Sequence, residues 1–136
     1  MKKRVMTAAA ILSSAIIAGF VTATPASAAT LLAHCNTTGA SGGLTVPNFN
    51  GPTDHIRVHM DAYDSLSDGH EVKIRLITTN AAGKYHYWAW HGNYGGAGTD
   101  KEFNTTAKDD SGIFGAGIQV ARANLNSCIT WSTVTN

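Results

Sequence analysis

The first 28 residues of this 136-residue chain lack any charge beyond Lys2, Lys3 and Arg4. An apolar run over 5–21 follows the basic start, and Ala26-Ser27-Ala28 stands just behind a proline, the three-part layout of a secretory signal. That run is about 17 residues long and rich in Ala, Ser and Thr, short for the ~20 residues of a membrane anchor. Cleavage would leave 29–136 as a single secreted domain of 108 residues. Three of the ten basic residues leave with the signal, so seven face nine acids and the formal net charge moves from +1 to −2. With no basic excess, nucleic acid is a poor partner. With room for one core, large multidomain enzymes are excluded. Nothing in the remaining sequence calls for membrane insertion.

Cysteine is equally scarce. Cys35 and Cys128 are the only two, and without a CxxC pair they carry no zinc or redox motif. In an oxidising compartment a single pairing is available to them, clasping the first strand to the last. Closing so long a loop would restrict the unfolded chain by roughly 4–5 kcal/mol in the chain-entropy picture. Leu32-Ala33-His34-Cys35 has a faint likeness to a lipidation site, but the imidazole of His34 stands where a small residue is normal.

Helical periodicity is the third absence. No long window repeats apolar residues at helical spacing, whereas Val, Ile and Thr runs are broken by Gly, Asn and Asp every 8 to 12 residues. The pattern predicts an all-β, antiparallel β-sandwich of about seven or eight strands, of Ig-like size. Over 54–63, Ile56, Val58, Met60 and Ala62 alternate with His55, Arg57, His59, Asp61 and Tyr63. Over 72–79, Val72, Ile74, Leu76 and Thr78 alternate with Lys73, Arg75, Ile77 and Thr79. The Asp68-Gly69 turn between these runs reads as a hairpin connection, with Ala62 opposite Val72. A third strand is expected over 84–90 and a flexible glycine loop over 92–98. Strands over 101–107 and 113–123 read as a pair, 44–50 as a short strand, and 129–134 as the partner of 30–36. Gly115 and Gly117 inside a strand suggest a bulge or a close approach by another backbone.

Most catalytic motifs fail on inspection. Gly39-Ala40-Ser41-Gly42-Gly43 matches the G-x-S-x-G elbow but lacks the strand-turn-helix setting, and reads as a flexible loop. His70-Glu71 begins H-E-x-x-H without the second histidine. Asp61, Asp64 and Asp68 lack the glycine and glutamate of a calcium loop. His55 and His59 share a face but lie about 13 Å apart along one strand, too far to share a metal. No catalytic residue, metal ligand or cofactor is therefore assigned.

What the chain does have is an aromatic cluster. Tyr85, Tyr87, Trp88, Trp90, His91 and Tyr94 fall within ten residues, two of the three tryptophans and three of the four tyrosines among them. If the segment serves packing, Trp88 and Trp90 are the core pair with Trp131, leaving Tyr85, Tyr87, His91 and Tyr94 beside the glycine loop; whether the two tryptophans are core or exposed is left open by the sequence. Exposed Tyr and Trp offer rigid amphipathic area to a protein or to the apolar face of a sugar. The expectation is an extracellular binding module that engages a secreted or surface protein, or a cell-wall or environmental glycan, through 85–98. Two other readings stand beside it. One is a small hydrolase or metal-dependent enzyme using His59, His86 or His91 with Asp61; the other is a protease inhibitor or toxin component presenting 92–99.

In Trp88-Ala89-Trp90-His91, Gly95-Gly96-Ala97-Gly98, Gln119-Val120-Ala121 and Asn126-Ser127-Cys128 the chain resembles small secreted actinomycete β-proteins of uncharacterised function. The resemblance spans most of 29–136 and implies no activity. The chain is unlike the actinomycete protease inhibitors, which carry more cysteines, and lacks the two short-loop disulfides of enediyne-carrier apoproteins.

Overall fold

The computed structural model describes residues 27–135. All but the last two residues of the expected signal at 1–28 lie outside that range. Two antiparallel sheets pack face to face, with ten strands and no helix among the described residues. The first sheet consists of β1 (Ala29–Thr37), β2 (Ala40–Phe49), β3 (Thr53–Asp64), β7 (Asp100–Ile113) and β10 (Thr133–Thr135), in the order β10-β1-β2-β3-β7. The second orders β5 (Tyr85–Tyr87), β4 (Val72–Thr79), β8 (Gly115–Arg122) and β9 (Asn126–Trp131), and β6 (His91–Asn93) also pairs with β4. The sequence-based sandwich is therefore present, with the strand count raised by β5, β6 and β10, each three residues long.

Alternation decides the core. Ile56, Val58, Met60 and Ala62 of β3 face Val72, Ile74 and Leu76 of β4 and Ile118 and Val120 of β8, all buried. Gly42 permits the sheets to close, because a Cβ there would stand 2.5 Å from the Asp61 carbonyl and 2.9 Å from Ile74 Cδ1. The bridge between Cys35 and Cys128 joins β1 to β9, one strand from each sheet. A structural disulfide fits an extracellular protein.

Several expected pairings are not made. The strands over 54–63 and 72–79 do not form a hairpin: β3 pairs with β2 and β7, and residues 65–71 carry the chain to the other sheet. Their matched alternation serves packing across the core instead of hydrogen bonding along one sheet, so Ala62 is not opposite Val72. In the same way β7 runs unbroken through Lys108-Asp109-Asp110-Ser111-Gly112, and the chain changes sheet at Phe114 on its way to β8. The terminal run is split at Ser132, with β9 in the second sheet and only β10 pairing with β1, through Leu31↔Val134 and its neighbours. Gly39 makes a tight turn at φ 78°, and Ser41, Gly42 and Gly43 lie within strand β2, not in a flexible loop. The close approach expected at Gly117 is present: a Cβ there would meet the Thr130 carbonyl at 2.6 Å and the Trp131 ring at 2.9 Å.

Candidate functional site

The expected aromatic strand over 84–90 is interrupted. Tyr85–Tyr87 pairs with 77–79 of β4, residues 88–90 leave the ladder, and His91–Asn93 resumes against 72–74. The break sorts the six candidate residues onto two surfaces.

Trp88 and His91 turn inward. Trp88 donates its indole N–H to Thr78 Oγ1 at 3.1 Å and packs against the core, while His86 stacks on it at 4.3 Å. His91 leans on Phe103 of β7 at 5.0 Å. Of the three tryptophans that the packing reading put in the core, only Trp88 packs there, and Trp90 and Trp131 do not.

Tyr85, Tyr87, Trp90 and Tyr94 gather on the outer face of the second sheet. The register shows why. Lys73, Arg75 and Ile77 of β4 point away from the core because Val72, Ile74 and Leu76 point into it. Tyr87 lies opposite Ile77, which in turn lies opposite Gly117 and then Trp131. Cys128 must face inward to reach Cys35, so Ser127, Ile129 and Trp131 face outward. The Trp131 ring occupies the space that a side chain at Gly117 would take and meets Tyr85 at 5.2 Å. Tyr94 does the same over Gly92. Two glycines thus form beds on which rings lie close to the sheet. Beneath the rings Ile77 is fully buried although it points out of the sandwich.

Cations alternate with these rings. The Arg75 guanidinium lies 4.5 Å from the Tyr87 centroid and 4.4 Å from that of Trp90, and Lys73 Nζ lies 5.2 Å from Trp90 on the same ladder. Arg75 donates through Nε at 3.0 Å and Nη2 at 2.7 Å to Gln119 Oε1. Lys73 donates to Asn124 Oδ1 at 3.2 Å. Glu71 at the rim stands 3.9 Å from Lys73. Its carboxylate also holds the Tyr94 hydroxyl, which pushes that phenol above its ordinary pKa. Beside Trp90 an open depression of about 410 Å³ has Ala121 in its lining with Lys73, Gln119, Asn124, Asn126 and Ser127.

The glycine loop is tied down. Asn93, buried, donates from Nδ2 to the carbonyls of Ala62 at 2.9 Å and Thr99 at 3.0 Å, and its Oδ1 accepts from Gly95 N and Thr99 Oγ1. Every polar atom of this side chain is used, which anchors 94–99 to the end of β3.

The histidines named for catalysis are dispersed. His59 Nδ1 pairs with Asn104 Oδ1 at 2.9 Å on the outer face of the first sheet, which Asp61 shares. His86 lies 3.5 Å from Asp109, a pair that spans the two sheets at their open edge. The Asp109 carboxyl is held below its ordinary pKa, first by the Ser111 backbone N–H and also by His86. Among the described residues no group of three or more His, Cys, Asp or Glu side chains is placed to hold a metal ion.

Sequence reasoning missed Arg75, Gln119, Ile129 and Trp131 as parts of the aromatic surface. The signal was parity: Trp131 and Ile129 must lie opposite in direction to an inward Cys128, and Ile77 is apolar on the otherwise polar side of β4. No family model, curated protein or solved structure matches the chain.

Proposed function

We propose that this is a secreted, non-catalytic glycan-binding module whose ligand lies across the outer face of the second sheet. The observation that carries the reading is the placement of Tyr85, Tyr87, Trp90 and Trp131 on one face, beside a depression edged by amide, hydroxyl and ammonium groups. Rings of this kind cover the C–H face of a sugar, and the polar groups match its hydroxyls. A protein-binding surface would typically have an apolar centre and a polar rim. Here polar side chains sit among the rings, with Arg75 and Gln119 between Tyr87, Trp90 and Ile129. That mixture favours a hydroxyl-rich ligand. The disulfide and the expected signal support an extracellular setting, and no helix among the described residues is long and apolar enough to cross a membrane.

The test is titration of the purified protein with soluble polysaccharides, followed by tryptophan fluorescence and calorimetry. Trp90→Ala and Trp131→Ala are each expected to weaken binding about tenfold or more, as ring hot spots do, with the melting transition still cooperative. Absence of binding across a broad panel of plant, fungal and bacterial polysaccharides would refute the reading.

A further inference from the structure

We infer that the preferred glycan is acidic, carrying sugar carboxylates, and that Arg75 is the residue that reads them. This deepens the glycan reading and rests on it.

The argument begins with charge. The domain over 29–136 is net negative, yet the outward strand positions of the second sheet hold Lys73 and Arg75 and no acid. The outward positions of the first sheet carry Asp61, Asp100 and Glu102 against Arg57 and Lys108. The ring-bearing face is therefore the cationic one. Glu71 at its rim is already engaged with Tyr94 and Lys73, whereas Arg75 has no carboxylate partner among the described residues.

Geometry adds direction. Two nearby rings and one amide oxygen hold the guanidinium, so its orientation is set before any ligand arrives. Both bonds to Gln119 use Nε and Nη2, leaving Nη1 without a hydrogen-bond partner among the described residues. A guanidinium fixed in one plane suits the planar, two-oxygen geometry of a carboxylate. Its place puts it within 4.5 Å of the centroids of both Tyr87 and Trp90, in reach of a substituent on a sugar that rests on either ring. A neutral glycan would leave the guanidinium without a counter-charge on the face. A uronate would neutralise it.

The experiment compares polygalacturonate, alginate and hyaluronan with the carboxyl-reduced form of each polymer, so that charge is the only systematic difference within a pair. Wild-type protein should bind at least one acidic polymer about tenfold more tightly than its reduced form. Arg75→Gln should abolish that preference. Arg57→Gln, which removes a cation from the opposite outer face, should leave it unchanged. Equal affinity for both members of every pair, or a preference that survives Arg75→Gln, overturns the inference and leaves the glycan reading standing. An equal loss with Arg57→Gln also overturns it, since the effect would then be general charge. Binding to neither form of any polymer, alongside silence across the broader panel, removes both. Should Arg75→Gln fail to fold, Arg75→Lys with the wild-type pairwise comparison decides the matter. A point charge without the planar fork should retain only part of the preference, and full retention by Arg75→Lys counts against a reading built on the fork.

Discussion

The two flanks of the sandwich are closed by different means. On the flank of β1 and β9 the sheets share a covalent bond, Cys35 to Cys128, reinforced by Asn126 Nδ2 donating to Thr37 Oγ1 and the Thr38 carbonyl. The chain itself crosses there, with Ser132 N donating to the Ala116 carbonyl. On the flank of β7 with β5 and β6 there is no such bond. Trp88 plugs the gap with His86 stacked on it, His86 reaches Asp109, and His91 rests on Phe103. One flank limits how far the unfolded chain can spread; the other depends on contacts that exist only once the chain has folded. The aromatic segment has a structural duty on its inner side, while its outer side carries exposed rings.

The comparison can be broken most severely on the covalent flank. Replacing both cysteines, Cys35→Ser with Cys128→Ser, should cost about 4–5 kcal/mol, the chain-entropy value for a loop of this length. Urea unfolding should show it as a shift in midpoint, and a loss below about 1 kcal/mol would place the strength of this flank in Asn126 and the packing instead. On the other flank, Trp88→Ala removes a half-buried ring and its bond to Thr78, for an expected loss of about 3 kcal/mol, the low end of Trp→Ala changes because the ring is only half-buried. Ligand affinity should fall little, because Trp88 lies beneath the face. A large loss of affinity with unchanged stability would place Trp88 at the ligand.

The smallest expected effect concerns Asp109. Its carboxyl is held below the ordinary value in the folded protein, by Ser111 N–H and then by His86. A lowered folded pKa means that the contribution is fully present above the unfolded value of about 3.9 and is lost as pH falls through the folded one. Asp109→Asn should therefore melt below wild type at neutral pH, and the two melting curves should converge in acid. A gap that stays constant into acid would assign the effect to packing.

The fold was legible where a single alternation served one face. Ile56, Val58, Met60 and Ala62 lie in the core as their spacing predicts, and two cysteines leave one pairing. Partnering was not legible, because alternation states which side of a strand is apolar and is silent on whether the facing strand sits beside it or across the core. That ambiguity produced the expected hairpin between β3 and β4. The site was half legible: composition drew attention to 85–94, but the interruption at 88–90 decides which rings face the solvent, and an unbroken period of two cannot express it. Asn93 was hidden for a related reason. Among four glycines in seven residues it looked like loop material, whereas its amide holds the turn together.

The disulfide also governs what damage the molecule can survive. Cys35 and Cys128 lie close to the two ends of the described chain, so nearly every peptide bond of the domain falls between them. A protease that cut the turn at 94–99 would separate Trp90 from Trp131 in sequence, yet both pieces would remain joined through the sulfurs and through the ladders of β4 with β8. Such a nicked molecule, heavier by one water, would stay a single covalent species until reduced. The ring-bearing face would thus outlast the continuity of the chain that forms it.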